Sequence, residues 1–588
     1  MKKNITIIMA FILLLTMGAC KKIEPPVDEE NPEDIIDSEE PIEQTEDELK
    51  HERIQAIIDG LTIEEKVGQM FMVGFEGTSV PTSLNTAIEC QKFGNFIYFG
   101  ANVADDTKVA TMSEAIQTKV MDEIGIPAFI SMDQEGGMVV RFAEEATHFI
   151  GNMALAATNN PLNAYQVGIH MGEELRHYGV NLNLAPVLDV NNNPANPVIG
   201  IRSYADDPDM VSAYGLQMIQ GLKESDVIAT VKHFPGHGDT SVDSHYGLPM
   251  IPHDMERLIN VELAPFIDAI EAGADALMTA HIIFSAIDNE LPATLSYKVI
   301  TELLREELGY DGIVMTDEMR MNAIRNNFTA SEAAVKAIQA GVDIVLYAES
   351  TSTSIAAYNG VIEAIEDGII SEERINESVW RILDKKIKYG LMEDYLPRRN
   401  LTASEIQEHK EWNQALIEAS FTQPLGSVDW FDCNASTLLI STKCTRYPLV
   451  KGYSINTNQN SLAMVGASLL ESEGATQVDS LVIETSLTST QINQIITQAA
   501  SYSQVIIAVE NATISQATLV NRLAEEDNNI LVVALKNPYD YLLYDGINHY
   551  VCTFGYFAGS VEALIDLLLG RFEATGTLPV QIEGINSN

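Results

Sequence analysis

The sequence predicts an α/β protein in which a (β/α)8 TIM barrel is followed by a smaller α/β sandwich domain. Two observations support this fold class. Between residues 51 and 392, eight short apolar runs alternate with segments of helical periodicity, a pattern typical of parallel strands covered by helices on both faces. After residue 436, a shorter series of the same kind begins. An open, doubly wound sheet is the alternative for the first domain, because periodicity does not show that a sheet closes.

The elements follow from these patterns in chain order. The predicted strands of the first domain are residues 71–73, 95–99, 127–131, 181–187, 227–232, 276–280, 312–316 and 343–347. The predicted helices between them include residues 106–123, 162–178, 208–223, 255–272, 296–308 and 330–340. Residues 393–435 are expected to form a linker and a helical connector, and residues 436–588 the second domain, with strands at 438–441, 481–484, 505–509 and 530–535.

Two segments precede the barrel. Residues 1–20 combine two lysines, an apolar run too short to span a bilayer, and small residues before Cys20, which predicts a lipoprotein signal peptide with Cys20 as the lipidated residue. A simple export signal is the alternative. Residues 21–50 contain 13 acidic residues against 3 lysines, and such a stretch favours a disordered tether. We therefore expect an extracytoplasmic protein that is lipid-anchored to the cell membrane.

Composition excludes one class of partner. The formal net charge is −49, with 84 acidic and 35 basic residues, so the chain would repel phosphate backbones and we expect no binding to nucleic acid. The cysteines after Cys20 are widely scattered, which favours free thiols, although Cys433 and Cys444 could form a disulfide. We expect no cofactor and no metal.

Polar side chains follow five of the predicted strands at the point where each strand ends. They are Asp133, Asp189, the pair Lys232 and His233, His281, and Asp317. In a barrel these strand ends meet on one face, where the βα loops form the active site. Each residue could instead cap the following helix.

Titratable side chains are most concentrated in one segment, which we call the central stretch. It is residues 232–249, Lys-His-Phe-Pro-Gly-His-Gly-Asp-Thr-Ser-Val-Asp-Ser-His-Tyr-Gly-Leu-Pro. Its glycines and prolines predict a loop, and loop histidines are often only solvated. A metal site is disfavoured, because His233 and His237 would share a face only in a helix, which Pro235 and Gly236 prevent. Acid-base catalysis is the third interpretation of these residues, because Asp243 precedes His245 by two residues and could orient its ring.

At these residues the chain resembles the β-N-acetylglucosaminidases of glycoside hydrolase family 3. The resemblance covers about residues 61–391 and also includes the central stretch. The other motifs that carry it are Leu61-Thr-Ile-Glu-Glu-Lys-Val-Gly-Gln-Met70, Asp133-Gln-Glu-Gly-Gly137, Ala185-Pro-Val-Leu-Asp-Val190, Asn196-Pro-Val-Ile-Gly-Ile-Arg-Ser203, Met278-Thr-Ala-His281, Pro292-Ala-Thr-Leu-Ser296 and Thr316-Asp317.

The resemblance implies a role for each matching residue. It implies that Asp317 is the nucleophile, that His245 is the general acid/base, and that Asp243 holds His245. Without the resemblance, Asp239 or Asp243 would be the candidate acid. It also implies a set of sugar-binding residues, namely Asp133, Arg141, Arg202, Lys232 and His233. Met138 departs from the family pattern, where many members carry arginine.

The expected activity is that of a retaining exo-β-N-acetylglucosaminidase acting on cell-wall saccharides that contain GlcNAc, in particular peptidoglycan fragments. Two alternatives stay open at this point. One is a phosphorylase that transfers the sugar to phosphate, and the other is a lipoprotein that binds sugar without catalysis. The second domain is expected to give structural support or a protein contact and no catalytic residue.

Overall fold

The structure is a computed structural model that describes residues 45–104, 108–142, 145–241, 243, 247–349, 352–396, 400–450, 455, 457–526 and 530–585. Cys20, the predicted signal peptide and most of the predicted acidic tether lie outside the described residues. His245 lies outside them as well. The barrel, the connector and the second domain are therefore described almost in full.

Eight parallel strands form the barrel. In chain order the strands of this part are β1 Phe71–Gly74, β2 Asn95–Tyr98, β3 Phe129–Met132, β4 Leu182–Asn183, β5 Ile228–Phe234, β6 Met250–Ile251, β7 Ala276–Thr279, β8 Ile283–Phe284, β9 Ile313–Thr316 and β10 Val345–Tyr347. The barrel order is β10-β1-β2-β3-β4-β5-β7-β9, and β6 pairs with β8 in a separate small sheet. A parallel bridge between Met315 and Ile344 joins the two outer strands, so the sheet closes. The barrel prediction is confirmed, and the open sheet is excluded.

The fourth strand is shorter than predicted. Residues 181–187 form a two-residue strand, because Pro186 has no N–H to donate to a neighbouring strand. Pairing resumes only as a bridge between Val187 and Lys232.

The helices that surround the barrel are buried on the face that packs against it. They are α1 Glu46–Gly60, α2 Ile63–Gln69, α3 Thr82–Gln91, α4 Val109–Glu123, α5 Asn152–Ala157, α6 Leu162–His177, α7 Pro208–Glu224, α8 Met255–Asn260, α9 Ala264–Glu271, α10 Asn322–Arg325, α11 Ala330–Ala340, α12 Ser352–Glu366 and α13 Glu372–Lys388, together with a π-helical segment Lys298–Glu307. The predicted helix at 255–272 is two helices. The break comes just before Pro265, which stands in the first turn of α9, where a missing N–H is tolerated.

The second domain begins after the connector helix α14 Ala403–Ser420. Its strands are β11 Thr422–Leu425, β12 Thr437–Ser441, β13 Val478–Val482, β14 Gln504–Val509, β15 Ile530–Ala534 and β16 His549–Cys552, in the order β11-β16-β15-β14-β12-β13. All neighbours in this sheet are parallel except β11 and β16. Its helices are α15 Leu462–Ser472, α16 Ser489–Ala499, α17 Ile514–Glu526 and α18 Ala558–Leu568. The predicted α/β character of this domain is confirmed.

Tyr447 of the second domain is buried against the barrel. Its hydroxyl donates to the carbonyl of Met138 at 2.8 Å and accepts from the amide of Val140 at 3.4 Å. Met138 and Val140 belong to the loop after β3, and Val140 directly precedes Arg141. The second domain therefore supports a loop of the barrel's reactive face.

Among the described residues, no helix is both long and apolar enough to cross a bilayer. The four described cysteines are free, and Cys90 is exposed whereas Cys444 and Cys552 are buried. Cys433 and Cys444 thus do not form a disulfide.

Candidate active site

A cavity of about 320 Å³ lies at the C-terminal ends of the barrel strands. The predicted sugar-binding residues and the predicted nucleophile line it together: Asp133, Arg141, Arg202, Lys232, His233 and Asp317. Lys232 and His233 lie at the C-terminal end of β5, and the others come from the loops after β3, β4 and β9. The closed barrel brings all of them to one face. The structure therefore gathers six of the eight predicted site residues in one pocket.

Asp133 lies between two cations. Its Oδ2 accepts from Nη2 of Arg141 at 2.6 Å, and its Oδ1 accepts from Nζ of Lys232 at 2.9 Å. Burial opposes ionisation of Asp133, but the charges of Lys232 and Arg141 outweigh it and hold its pKa below the usual range. The Arg141 guanidinium also lies over the Phe99 ring, 5.5 Å from the ring centre. The pocket thus has a fixed rim of alternating charge.

Glu135 lies between Arg202 and Lys232. It accepts from Nε of Arg202 at 2.9 Å and from Nη2 at 2.8 Å, and it lies 2.6 Å from Nζ of Lys232. Only 2% of its side chain is exposed. Burial would raise the pKa of Glu135, but Arg202 and Lys232 lower it to about 2. Bidentate arginine pairs of this kind fix orientation as well as charge.

A buried carboxylate sets the position of His233. Asp189 accepts from the ring Nδ1 of His233 at 2.7 Å and from its backbone amide at 3.1 Å. Because Nδ1 carries the proton that Asp189 accepts, Nε2 is the ring atom left for the pocket. Asp189 also accepts from the amide of His237 at 2.6 Å. Burial and the charge of His233 lower the pKa of His237 to about 4, so this second imidazole is neutral near pH 7.

Asp317 follows β9 and faces the same cavity. Its Oδ1 accepts from the amide of Glu318 at 2.7 Å. Burial favours the neutral acid, but His281, His233 and the Glu318 amide outweigh it and lower the pKa of Asp317. His281 is fixed in turn, because its Nδ1 lies 2.8 Å from Oγ1 of Thr294. Asp317 is thus an ionised carboxylate near pH 7, as a nucleophile must be.

The loop after β5 is anchored against the loop after β4. Asn196 donates through Nδ2 to the carbonyls of His237 at 2.8 Å and Gly238 at 2.7 Å. A Cβ on Gly238 would lie 1.6 Å from the carbonyl oxygen of Val190, so no larger residue fits there. His237 belongs to this anchored part. Asp239, which the sequence without the resemblance offered as a candidate acid, belongs to it as well, and its carboxylate pairs with His253 at 2.7 Å.

Asp243 lies beside the main pocket. It lines a neighbouring cavity of about 290 Å³ that shares Arg202 and Arg446 with the first one. Besides Arg446, the second domain contributes Asn511, Lys536 and Asn537 to the lining of this cavity. The predicted pairing of Asp243 with His245 involves a residue outside the described range and stays a prediction.

Glu135 and Arg446 line the pocket but were not among the predicted site residues. Glu135 stood within the Asp133-Gln-Glu-Gly-Gly137 motif without a role, although a carboxylate two residues after Asp133 was a usable signal. Arg446 comes from the second domain, more than three hundred positions after Arg141, and no sequence spacing pointed to it. The expectation that the second domain gives only support is therefore incomplete, because Arg446 lines the pocket.

Fold and site define a barrel hydrolase in which the ionised Asp317 carboxylate lies in a pocket lined by cations and imidazoles. The chain belongs to glycosyl hydrolase family 3, since residues 62–384 match the model described as the "Glycosyl hydrolase family 3 N terminal domain". The predicted family and enzyme class are confirmed.

Named relatives agree with this assignment. The chain is 34% identical over 402 residues to Beta-hexosaminidase A of Pseudoalteromonas piscicida, covering 62% of this chain and 67% of that protein. It is 33% identical over 302 residues to a Beta-hexosaminidase of Xanthomonas euvesicatoria, covering 50% and 87%. Among solved structures, a family 3 beta-N-acetylglucosaminidase from Paenibacillus sp. str. FPU-7 superposes with a TM-score of 0.80 at 36% identity, covering 89% of this chain and 99% of that one.

Proposed function

We propose that this protein is a retaining exo-β-N-acetylglucosaminidase that removes terminal β-linked GlcNAc from peptidoglycan fragments. The observation that carries the proposal is the ionised Asp317 carboxylate in a cavity rimmed by Asp133, Arg141, Lys232 and His233. The names of the relatives, hexosaminidase and N-acetylglucosaminidase, support GlcNAc as the sugar.

The rim has the chemistry that a sugar ring needs. Asp133 accepts hydrogen bonds, whereas Arg141 and Lys232 donate them, so neighbouring hydroxyl groups would each find a partner. These groups are already bound to one another before sugar enters, so little side-chain entropy is lost on binding. The cavity is closed beneath by the barrel core, which favours removal of a terminal sugar.

The reaction has two steps. Asp317 attacks the anomeric carbon and forms a carbon–oxygen bond, while the bond to the leaving group breaks and His245 gives its proton to the leaving oxygen. His245 then takes a proton from water, whose oxygen attacks the same carbon. The bond between that carbon and Asp317 breaks, the carboxylate is regenerated, and the sugar leaves with retained configuration. In this proposal Asp243 orients the His245 ring.

The second cavity supports an acidic leaving group. Arg446 lies at the junction of the two cavities, and Lys536 lines the outer one. A muramic acid residue carries a lactyl carboxylate next to the bond that is cut, and in this proposal Arg446 binds that carboxylate. A charge-assisted hydrogen bond contributes about 1.5–3 kcal/mol, which is about 10- to 100-fold in kcat/KM.

The central experiment traps the sugar on the enzyme. A slow 5-fluorinated GlcNAc analogue should label the peptide that contains Asp317, as located by mass spectrometry, and the Asp317→Asn variant should take up no label. Asp317→Asn should also lower kcat by on the order of 10³-fold or more. Labelling of another carboxylate, or a product with inverted configuration by NMR, would overturn the proposal. A high yield of sugar 1-phosphate in phosphate buffer would show that the enzyme is a phosphorylase and that the proposed hydrolysis is wrong.

The acid/base assignment has its own test. His245→Ala should lower kcat/KM strongly on a GlcNAc disaccharide and much less on an activated nitrophenyl glycoside, because only the poor leaving group needs a proton. Equal losses on both substrates would remove His245 from this role.

The leaving-group assignment is tested with Arg446→Ala. The variant should lose about 10- to 100-fold in kcat/KM on GlcNAc-MurNAc substrates and less than about 2-fold on neutral nitrophenyl-GlcNAc. Lys443→Ala, a nearby cation that lines neither cavity, is the matched control and should change neither rate. Equal losses on both substrates would show that Arg446 does not read the acidic group.

We also propose that the enzyme is tethered to the outer face of the cytoplasmic membrane through lipid on Cys20. The lipobox-like run before Cys20 and the acidic stretch after it support this placement. Incorporation of radiolabelled palmitate, lost in Cys20→Ala, would test it. An unlabelled wild-type protein would exclude the anchor.

A further inference from the structure

A second cluster of ionisable side chains lies away from the active site, where helix α6 of the barrel meets the connector helix α14. His170 and Glu173 stand about one turn apart on α6, and His409 faces them from α14. Oε2 of Glu173 lies 3.7 Å from Nδ1 of His170 and 3.4 Å from Nε2 of His409. One potential ligand atom from each of the three residues lies within 4.8 Å of the other two.

These distances suit a zinc ion. Bonds of about 2.0–2.1 Å in a tetrahedral site place neighbouring ligand atoms roughly 3.3 Å apart, so small side-chain shifts would complete the geometry. Two imidazoles and one carboxylate form a donor set that zinc takes readily, with water as the fourth ligand. The three side chains are only 7–19% exposed, so the site is partly desolvated yet accessible to an ion.

The surrounding residues orient both rings. Nδ1 of His409 lies 2.9 Å from Oε1 of Glu174, and Glu174 is itself held by the amide and hydroxyl of Thr147 at 2.7 Å each. Nδ1 of His409 therefore carries the proton, and Nε2 presents its lone pair toward Glu173. A carboxylate behind a histidine ligand is the usual outer support of a zinc site.

His170 is oriented in a similar way. Its Nε2 lies 3.0 Å from the side-chain amide of Gln166, whose oxygen can accept the ring proton once the amide is turned. Nδ1 is then the atom that faces Glu173. Trp412 packs edge-on against the His170 ring at 5.2 Å and limits its rotation.

We propose that His170, Glu173 and His409 bind one zinc ion, which fastens the connector helix α14 to the barrel. No motif in the sequence indicated this site, and the expectation of no metal rested on the loop after β5. His170 and Glu173 lie more than two hundred positions before His409, so no ligand spacing was visible. The ion would stabilise the folded state without taking part in the chemistry of the pocket.

The structure contains another group of potential metal ligands, but it is less suitable for zinc. It consists of Asp239, His253 and Glu262. Nε2 of His253 is already bound to Asp239 at 2.7 Å, and Glu262 is paired with Arg257 at 3.2 Å. Its ligand atoms are therefore engaged, which makes His253→Ala the matched control.

The test measures zinc directly in the purified full chain. After removal of bound metal with EDTA, titration with zinc chloride should show one ion per chain by calorimetry and by elemental analysis. Zinc should raise the thermal midpoint by on the order of 1–3 °C, because only the folded state holds the ligands together. Glu173→Gln and His409→Ala should lose both effects, whereas His253→Ala should keep them.

The outcomes separate the proposal from its alternatives. If the wild type takes up no zinc at micromolar concentration, the three residues form only an ion-pair network and the proposal is wrong. If Glu173→Gln still binds one ion, the zinc lies elsewhere and the proposal is equally wrong. Glu173→Gln is the conservative variant, and its hydrolysis of nitrophenyl-GlcNAc reports independently whether the barrel is folded.

Discussion

The buried carboxylate of Glu135 should contribute several kcal/mol to stability, because it joins two cations inside the barrel. Its pKa falls from 4.5 to about 2, which corresponds to about 3 kcal/mol at about 1.4 kcal/mol for each unit of pKa. Breaking a buried ion pair by removing one partner typically costs about 3–5 kcal/mol, in the same range. We therefore expect Glu135→Gln to lower the free energy of unfolding by about 3 kcal/mol at pH 7.

The pH dependence gives a sharper test of the same idea. A carboxylate with a lowered pKa stabilises the protein fully above its unfolded value, near 4.5, and loses this contribution as pH falls toward about 2. The stability difference between wild type and Glu135→Gln should thus be constant from pH 7 to pH 5 and shrink below about pH 4.5. Urea unfolding followed by tryptophan fluorescence at several pH values measures it.

The matched control is Glu89→Gln, which removes the exposed partner of Lys119. The Glu89 side chain is 49% exposed, so its loss should cost less than about 1 kcal/mol at any pH. A Glu135→Gln cost as small as that of the control, or one unchanged from pH 7 to pH 3, would refute the role assigned to the Glu135 network.

Three further variants test separate features. Gly238→Ala should fold but lose most activity, because its Cβ would meet the Val190 carbonyl at 1.6 Å and displace the loop after β5; full activity would show that the loop can shift freely. Tyr447→Phe should lower the free energy of unfolding by about 1–3 kcal/mol, because the buried Met138 carbonyl loses its hydrogen-bond donor. Thermal denaturation measures this, and an unchanged stability would contradict it. Burial raises the pKa of Asp540 to about 7, so wild-type stability should fall as pH rises from 4 to 7, whereas Asp540→Asn should lack this decline. Parallel stability curves for wild type and Asp540→Asn would exclude a buried neutral acid.

Much of the barrel could be predicted because its signals are local. Buried parallel strands are short and apolar, and polar residues such as Asp133 and Asp317 mark the ends of those strands directly in the sequence. Side chains that meet across the pocket, such as Asp133 and Lys232, could be grouped once eight strands were counted. The roles of Asp317, Asp243 and His245 came from the resemblance and stay predictions.

The parts that could not be predicted depend on contacts between distant segments. Arg446 reaches the pocket from the second domain, and His409 meets His170 from the connector. Neither shows periodicity or spacing relative to its partners, because tertiary packing alone determines such encounters. The short β4 was likewise overestimated, since the apolar run through Pro186 has strand-like composition without the N–H that pairing needs.

The hydrogen bonds of Tyr447 have a consequence for thermodynamic coupling. Tyr447 holds Val140, and the next residue, Arg141, binds Asp133 in the sugar pocket. A ligand that orders Arg141 therefore also stabilises the contact between the two domains. By linkage, any separation of the domains lowers the binding affinity of that ligand by the same factor. Tight inhibitors of the pocket should consequently raise the unfolding temperature of the second domain, although they touch little of it.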